Sequence, residues 1–334
     1  MSRQILLAHG GGGRLTRELI KSEFLPQLSN TYLADLADAA VMPIPAGKLA
    51  FTTDAFVVDP PVFPGGDLGY LSICGTINDL AMVGAKPLAL SWALILEEGL
   101  DEELLRAFVA GAARACREVN VPLVAGDTKV VPRGKGDRAF VTTAGVGVVE
   151  GEPLADRRIQ PGDVVIVSGS LGEHGATILA ARHGLGGDLE SDVAPLWPLV
   201  AQLLVAQVKV HALHDPTRGG VATVCYEVAE RTNLRVELEE AAVPVRPAVR
   251  AVMEVLGLDP LYVACEGRLL AFVAADDAER ALTVLRAHPL GRGARTIGRV
   301  TVRNESQLPL VLKTFYGTYR PLDLLSGAEL PRIC

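Results

Sequence analysis

From Lys48 onward the chain alternates two patterns, and that alternation confines it to helices layered on sheets. LAFTTDAFVV is a short apolar run that reads as a strand and its exit. LGYLSICGTINDLAMVG then takes helical spacing, with Asp67 placed to cap its start and Gly84 to stop it before Pro87. PLALSWALIL reads as a strand. DEELLRAFVAGAARACREV is an amphipathic helix: Leu104, Leu105, Phe108, Ala112 and Ala115 share one face, and Asp101 caps it. VPLVAGDTKVV and RAFVTTAGVGVV are strands again.

A second unit starts near Gly151. The turn Pro161-Gly162-Asp163 leads into the strand VVIVSGS. Helical patterns follow at about 174–183 and 195–210, and HDPTRGG opens the helix VATVCYEVAERT. LYVACEGRLLAFVA is strand-like. DDAERALTVLRAH starts at Asp276, with Glu279 three residues on in capping-box spacing. After the strand VTVR the pattern dissolves from Leu312. The fold class is therefore α/β and α+β. The expected division is an arm and helix at 1–40, an α/β domain at 41–150, an α+β domain at 151–311 and a mobile tail at 312–334.

With 334 residues, 49% of them hydrophobic, the chain can bury two cores. A net charge of −7 and no dense Lys/Arg run argue against a nucleic-acid partner. No apolar run reaches membrane-spanning length, and the first residues carry no signal-peptide pattern, so a cytoplasmic location is expected. The five cysteines form no CxxC pair, which argues against a disulfide framework or zinc ribbon. Cys74, Cys116 and Cys225 fit buried apolar positions.

Four acids share a similar local setting: Asp54 ends AFTTD, Asp127 ends VPLVAGD, Asp215 precedes a Gly-Gly helix start, and Asp79 lies on a helix one turn after Gly75. Singly, each suits a turn or cap. Gathered in one cleft they would repel unless a cation neutralised them, which points to Mg²⁺ held with a nucleoside triphosphate. Gly126-Asp127-Thr128-Lys129 and Thr217-Arg218-Gly219-Gly220 offer backbone N–H groups, and the second precedes a helix. Arg218 and Lys129 can offset phosphate charge. Neither a Walker A motif nor GxGxxG after a strand is present. His211 and His214 lack a third soft ligand and read as ordinary histidines. The last residue, Cys334, places a thiol at the end of a segment broken by Pro309, Pro321 and Pro331, where it could swing and carry a group.

TTDAFVVDP, PGGDLGYLSICGTINDLAMVGAKPLAL, AGDTKVVPRG, HDPTRGGVAT and the terminal PRIC resemble the HypE family of hydrogenase maturation proteins. That family lies within the superfamily of aminoimidazole ribonucleotide synthetase and selenophosphate synthetase. The resemblance spans nearly the whole chain and implies a two-domain fold that dimerises through its N-terminal sheet. It implies that a carbamoyltransferase, HypF, loads Cys334, and that ATP with Mg²⁺ drives dehydration of the thiocarbamate to a thiocyanate. A HypC–HypD complex would then receive the cyano group as an iron ligand of [NiFe]-hydrogenase.

By the same resemblance, Asp54, Asp79, Asp127 and Asp215 would hold Mg²⁺. Asn78, Gly126 and Thr128 would touch nucleotide, together with Arg218 and Gly219. Lys129 would steady the transferring phosphoryl group, and Glu266 would be the general base. The glycine-rich arm His9–Arg14 would close over ATP. The alternatives are a thiamine-monophosphate kinase-type enzyme, which needs no terminal thiol, and a non-catalytic carrier.

Overall fold

A computed structural model describes residues 4–10, 14–33, 40, 42–304, 306–325 and 332–334. Gly11–Gly13 of the glycine run, and Gly327 and Pro331 of the tail, lie outside them.

The chain begins with a 3₁₀ turn (Leu7–Gly10), α1 (Arg14–Leu19), a π-helical turn (Ile20–Phe24) and α2 (Leu25–Leu28). β1 (Lys48–Phe56) leads through a small ribbon, β2 (Val62–Phe63) and β3 (Gly66–Asp67), into α3 (Leu68–Met82). β4 (Lys86–Glu97), α4 (Glu102–Val119), β5 (Leu123–Val131) and β6 (Ala139–Val149) complete the first unit. Its sheet runs β1-β6-β4-β5, with only β4 and β5 parallel, as a crossover through α4 requires. The caps work as the sequence suggests. Asp67 accepts from the Tyr70 N–H at 2.9 Å, Asp101 from that of Glu103 at 3.0 Å, and Gly84 follows α3 at φ +75°.

The second unit contains β7 (Val164–Val167), α5 (Glu173–His183), α6 (Trp197–Val205), β8 (Val210–His214), α7 (Gly220–Thr232), β9 (Leu234–Glu239) and α8 (Pro247–Leu256). β10 (Leu270–Val273), α9 (Ala278–Ala287), β11 (Arg295–Val302), β12 (Leu310–Lys313) and β13 (Tyr319–Pro321) follow. The sheet order is β13-β12-β9-β11-β7-β10-β8. Separate apolar clusters line this sheet, one with α7 and one with α6 and α9. The cluster of the first unit continues without a break into α5 and α8 of the second, and Ile333 is part of it.

Four elements differ from the pattern reading. LYVACEGRLLAFVA is a strand only at Leu270–Val273, because residues 264–267 leave the sheet to pack against Asp192–Ala194. The pattern at 195–210 divides into α6 and the start of β8. No capping box forms at α9, where the cap position falls to Asp277; its carboxylate accepts the Lys209 N–H at 2.7 Å instead. Residues from Leu312 onward include the β12–β13 hairpin, so the expected domain end falls inside a strand. The last three residues are docked, with Ile333 in the core.

Candidate active site

β1 exposes alternate residues on its two faces. Thr52, Asp54 and Phe56 point toward α3, while Leu49, Phe51 and Thr53 point away. α3 can lie this close because Gly75 has no side chain; a Cβ there would sit 2.8 Å from the Phe56 ring. Thr52 Oγ1 donates to Asp79 Oδ2 at 2.7 Å, and Asp54 Oδ1 accepts the Ala55 N–H at 2.8 Å. Asp215 follows β8, and Arg218 precedes α7 behind the left-handed turn of Gly219 and Gly220. These residues close on a small cavity of about 30 Å³ bounded by Asp54, Asp79, Asp215, Arg218, Glu266 and Cys334.

The electrostatics follow from packing acids together with one nearby guanidinium. Burial pushes Asp215 up to about 8, and the charges of Asp79 and Asp54 add to it. Burial raises Asp54 and Asp79 as well; Arg218 and their hydrogen bonds oppose it. Glu266 lies well above the usual carboxylate range, through burial first and then through Asp215, Asp192 and Asp54. Among the described residues its Oε1 has no hydrogen-bond partner, and the Cys334 thiol lines the same cavity beside it. Burial, then Glu266, pushes the Cys334 thiol up, so at rest it is a neutral thiol.

The Glu266 loop is held from three sides. Its N–H donates to Asp192 Oδ1 at 3.1 Å, and Arg268 ion-pairs with Asp192 at 3.5 Å. Gly267 packs so tightly that a Cβ there would stand 1.7 Å from the Asp192 carbonyl oxygen. Asn78, fully buried, donates to the carbonyls of Ala194 at 3.1 Å and Glu266 at 3.3 Å, and accepts the Leu196 N–H at 2.7 Å. Its amide is thus committed to positioning the loop, a different task from the expected nucleotide contact.

One chain does not bring the whole predicted set together. Asp127 and Lys129 lie on β5, at the opposite edge of the sheet from β1, about three strand spacings or ~14 Å away. Register places Asp127 beside Ala93, Thr142 and Ala55 on the outer face, whereas Asp54 faces inward. Asp127 is held low chiefly by its hydrogen bond with Lys129, whose Nζ lies at 3.0 Å. Gly126 and Thr128 line a separate, largely apolar cavity of about 140 Å³ with Ile20, Phe24, Leu28 and Trp92.

The inner acids suit a hard cation, since each raises its neighbours' proton affinity. Among the described residues, however, no three His, Cys, Asp or Glu side chains form a metal cluster by themselves. A Mg²⁺ ion here would need water or phosphate oxygens as well. His211 and His214 each pair with a different carboxylate, Asp163 and Asp156, both at 2.7 Å.

The sequence reading missed Thr52, Asp59, His174, Arg182, Asp192 and Arg268. Arg268 is marked only by its charge before an apolar stretch, and Thr52 and Asp59 lie within TTDAFVVDP with no role read for them. His174, Arg182 and Asp192 carry no local signal, because their partners are distant in sequence.

Two models for AIR synthase related proteins match the chain, the N-terminal domain over residues 36–149 and the C-terminal domain over 160–310. The fold is therefore that of this class. The carbamoyl dehydratase HypE of Cupriavidus necator is 49% identical, covering 100% of this chain and 95% of that one. A crystal structure of the hydrogenase maturation protein HypE in complex with ATP is 44% identical, with a TM-score of 0.95 over 98% of this chain and 99% of that one. A HypE–HypF complex contains a chain 41% identical, with a TM-score of 0.80 over 92% and 99% of the two chains. The chain belongs to the HypE family.

Proposed function

We propose that Cys334 is the carrier on which a carbamoyl group is dehydrated, with Glu266 as the proton acceptor. As a HypE family member the chain is an enzyme, an ATP-dependent carbamoyl dehydratase. The observation that carries the assignment of residues is the terminal thiol, half-buried in an acid-lined cavity against Glu266.

The carbamoyl group forms a thiocarbamate on the Cys334 sulfur. Its oxygen is a poor leaving group until it takes the γ-phosphoryl group of ATP. One nitrogen proton leaves as that O–P bond forms and the C–N bond becomes double. Loss of the second nitrogen proton and of phosphate leaves the thiocyanate. The balance is thiocarbamate plus ATP to thiocyanate, ADP, phosphate and a proton. Glu266 Oε1 is an unpartnered acceptor where those N–H groups would lie, and its raised proton affinity makes it a strong base once ionised.

Asp54, Asp79 and Asp215 hold the inner cation site. A bound Mg²⁺ would neutralise charge on the phosphates and on these acids. Arg218 and the N–H of Gly219 would meet the phosphates ahead of α7, while the Gly220 N–H is taken by the Thr217 carbonyl at 2.9 Å. The cavity beside Gly126 and Thr128, apolar and flanked by Trp92, suits the nucleotide base.

HypF supplies the carbamoyl group, in keeping with the HypE–HypF complex, and a HypC–HypD assembly accepts the cyano group. No helix among the described residues is long and apolar enough to cross a membrane, and the work is assigned to the cytoplasm. The chain acts as a homodimer through the outer face of the first sheet, where Leu49 is 61% and Phe51 68% exposed. Across that face, Asp127 and Lys129 serve the second copy's site past its β1 edge.

The kinase alternative gives the terminal thiol in the cavity no task, and a non-catalytic carrier gives none to Glu266. Glu266→Gln keeps the shape and removes the base. It should still accept carbamoyl on Cys334 while dehydration falls about 100-fold or more. ADP released per carbamoyl group, measured in a single turnover, reads this. Wild-type turnover by the variant would sink the assignment of the base.

A further inference from the structure

His174 takes no part in the chemistry above, yet it is fully buried at the second position of α5. Its Nε2 lies 2.8 Å from the Ile333 carbonyl oxygen and its Nδ1 2.7 Å from Ser191 Oγ. A carbonyl only accepts, so Nε2 carries the proton and Nδ1 accepts from the Ser191 hydroxyl. Burial lowers the imidazole to about 4, which keeps it in this neutral form. The edge contact with the Phe63 ring, at 5.4 Å between centroids, fixes the ring further.

The neighbouring carbonyls turn the other way. The Val57 N–H donates to the Cys334 oxygen at 3.2 Å, and the Asp59 N–H to the Arg332 oxygen, also at 3.2 Å. Arg182, near the end of α5, donates to the Arg332 carbonyl as well. The Arg332 side chain pairs with Asp59 at 3.5 Å and with Asp137. The last three residues therefore lie between the units like an added strand. Backbone N–H groups of the first unit read carbonyls 332 and 334, and side chains on α5 of the second unit read 332 through Arg182 and 333 through His174. A slip of one residue would turn every carbonyl and side chain to the wrong side.

We propose that His174 is a positioning residue that sets the register of the C-terminal segment, so that Cys334 and not Ile333 fills the acid-lined cavity. This rests on Cys334 being the carrier, but docking can be measured apart from the chemistry.

The probe is iodoacetamide, with the modified cysteine found by peptide mass. The other four cysteines are buried. His174→Phe keeps bulk and loses the donor. It should raise alkylation of Cys334 about three- to tenfold, the range of one lost hydrogen bond. It should slow dehydration by a similar factor without slowing carbamoylation. His174→Gln, which retains an N–H donor, should recover much of both. If the Phe variant does not fold, Arg182→Gln should shift alkylation in the same direction. Unchanged alkylation in a folded variant overturns the proposal, as does equal loss of dehydration in the Phe and Gln variants. Failure of the carrier reading would look different: a cyano adduct would form without Cys334 while the alkylation differences remained.

Discussion

Asp215 shows how single residues set the conditions for this site. Its folded value of about 8 lies far above the unfolded carboxylate value of about 3.9. The protonated form is thus favoured by folding. The stability it contributes is fully present below about pH 4 and is lost as pH rises through about 8. Asp54, Asp79 and Glu266 are shifted in the same direction and add to the trend. The metal-free, nucleotide-free protein should therefore lose several degrees of Tm between about pH 6 and pH 8.5. Asp215→Asn should flatten that slope, and Mg²⁺ with ATP should oppose it. A Tm that rises over this range would contradict the account.

At the scale of elements, the segment 264–268 departs from the sheet to present Glu266. Its sequence looked like part of a strand because Val263, Ala264, Leu269 and Leu270 are apolar and buried on either side. What breaks the strand is the contact between Gly267 and the Asp192 backbone, from a part of the chain far away. Gly267→Ala should cost about 2–4 kcal/mol, since backbone on both sides must give way. Denaturant titration measures the stability, and loss of dehydration should exceed loss of carbamoyl acceptance. An Ala variant with unchanged stability would show that the contact yields easily.

The same contrast explains what could be read in advance. Elements with strong local periodicity and caps, such as α3 and α4, were legible from Asp67 and Asp101. The inner acids and Cys334 each lie inside a quoted family motif, whereas Glu266 lies in none and was expected only through the resemblance as a whole. The β12–β13 hairpin was not, because strands of four and three residues carry too little alternation. Nor was His174, whose task exists only once residue 333 lies beside it.

For the whole molecule, the two units share one apolar cluster, and the chain's own end is part of the joint. The thiol can reach the acids of the first unit and the base of the second only at that joint. The outer sheet face raises a second question of assembly. Phe51→Asp places a charge in the middle of the proposed dimer face and should give a folded monomer, seen by sedimentation. Such a monomer should lose dehydration, because it no longer receives Asp127 and Lys129. A fully active monomer would contradict the shared site.

The central claim is that the last residue carries the substrate. Intact-mass measurement, after incubation with HypF, carbamoyl phosphate and Mg·ATP, tests it most directly. The protein should gain one carbamoyl group when the dehydration is blocked, and otherwise finish lighter than that adduct by one water. Both changes should be absent from Cys334→Ala. If the Ala variant still acquires the carbamoyl and cyano adducts, the account is contradicted.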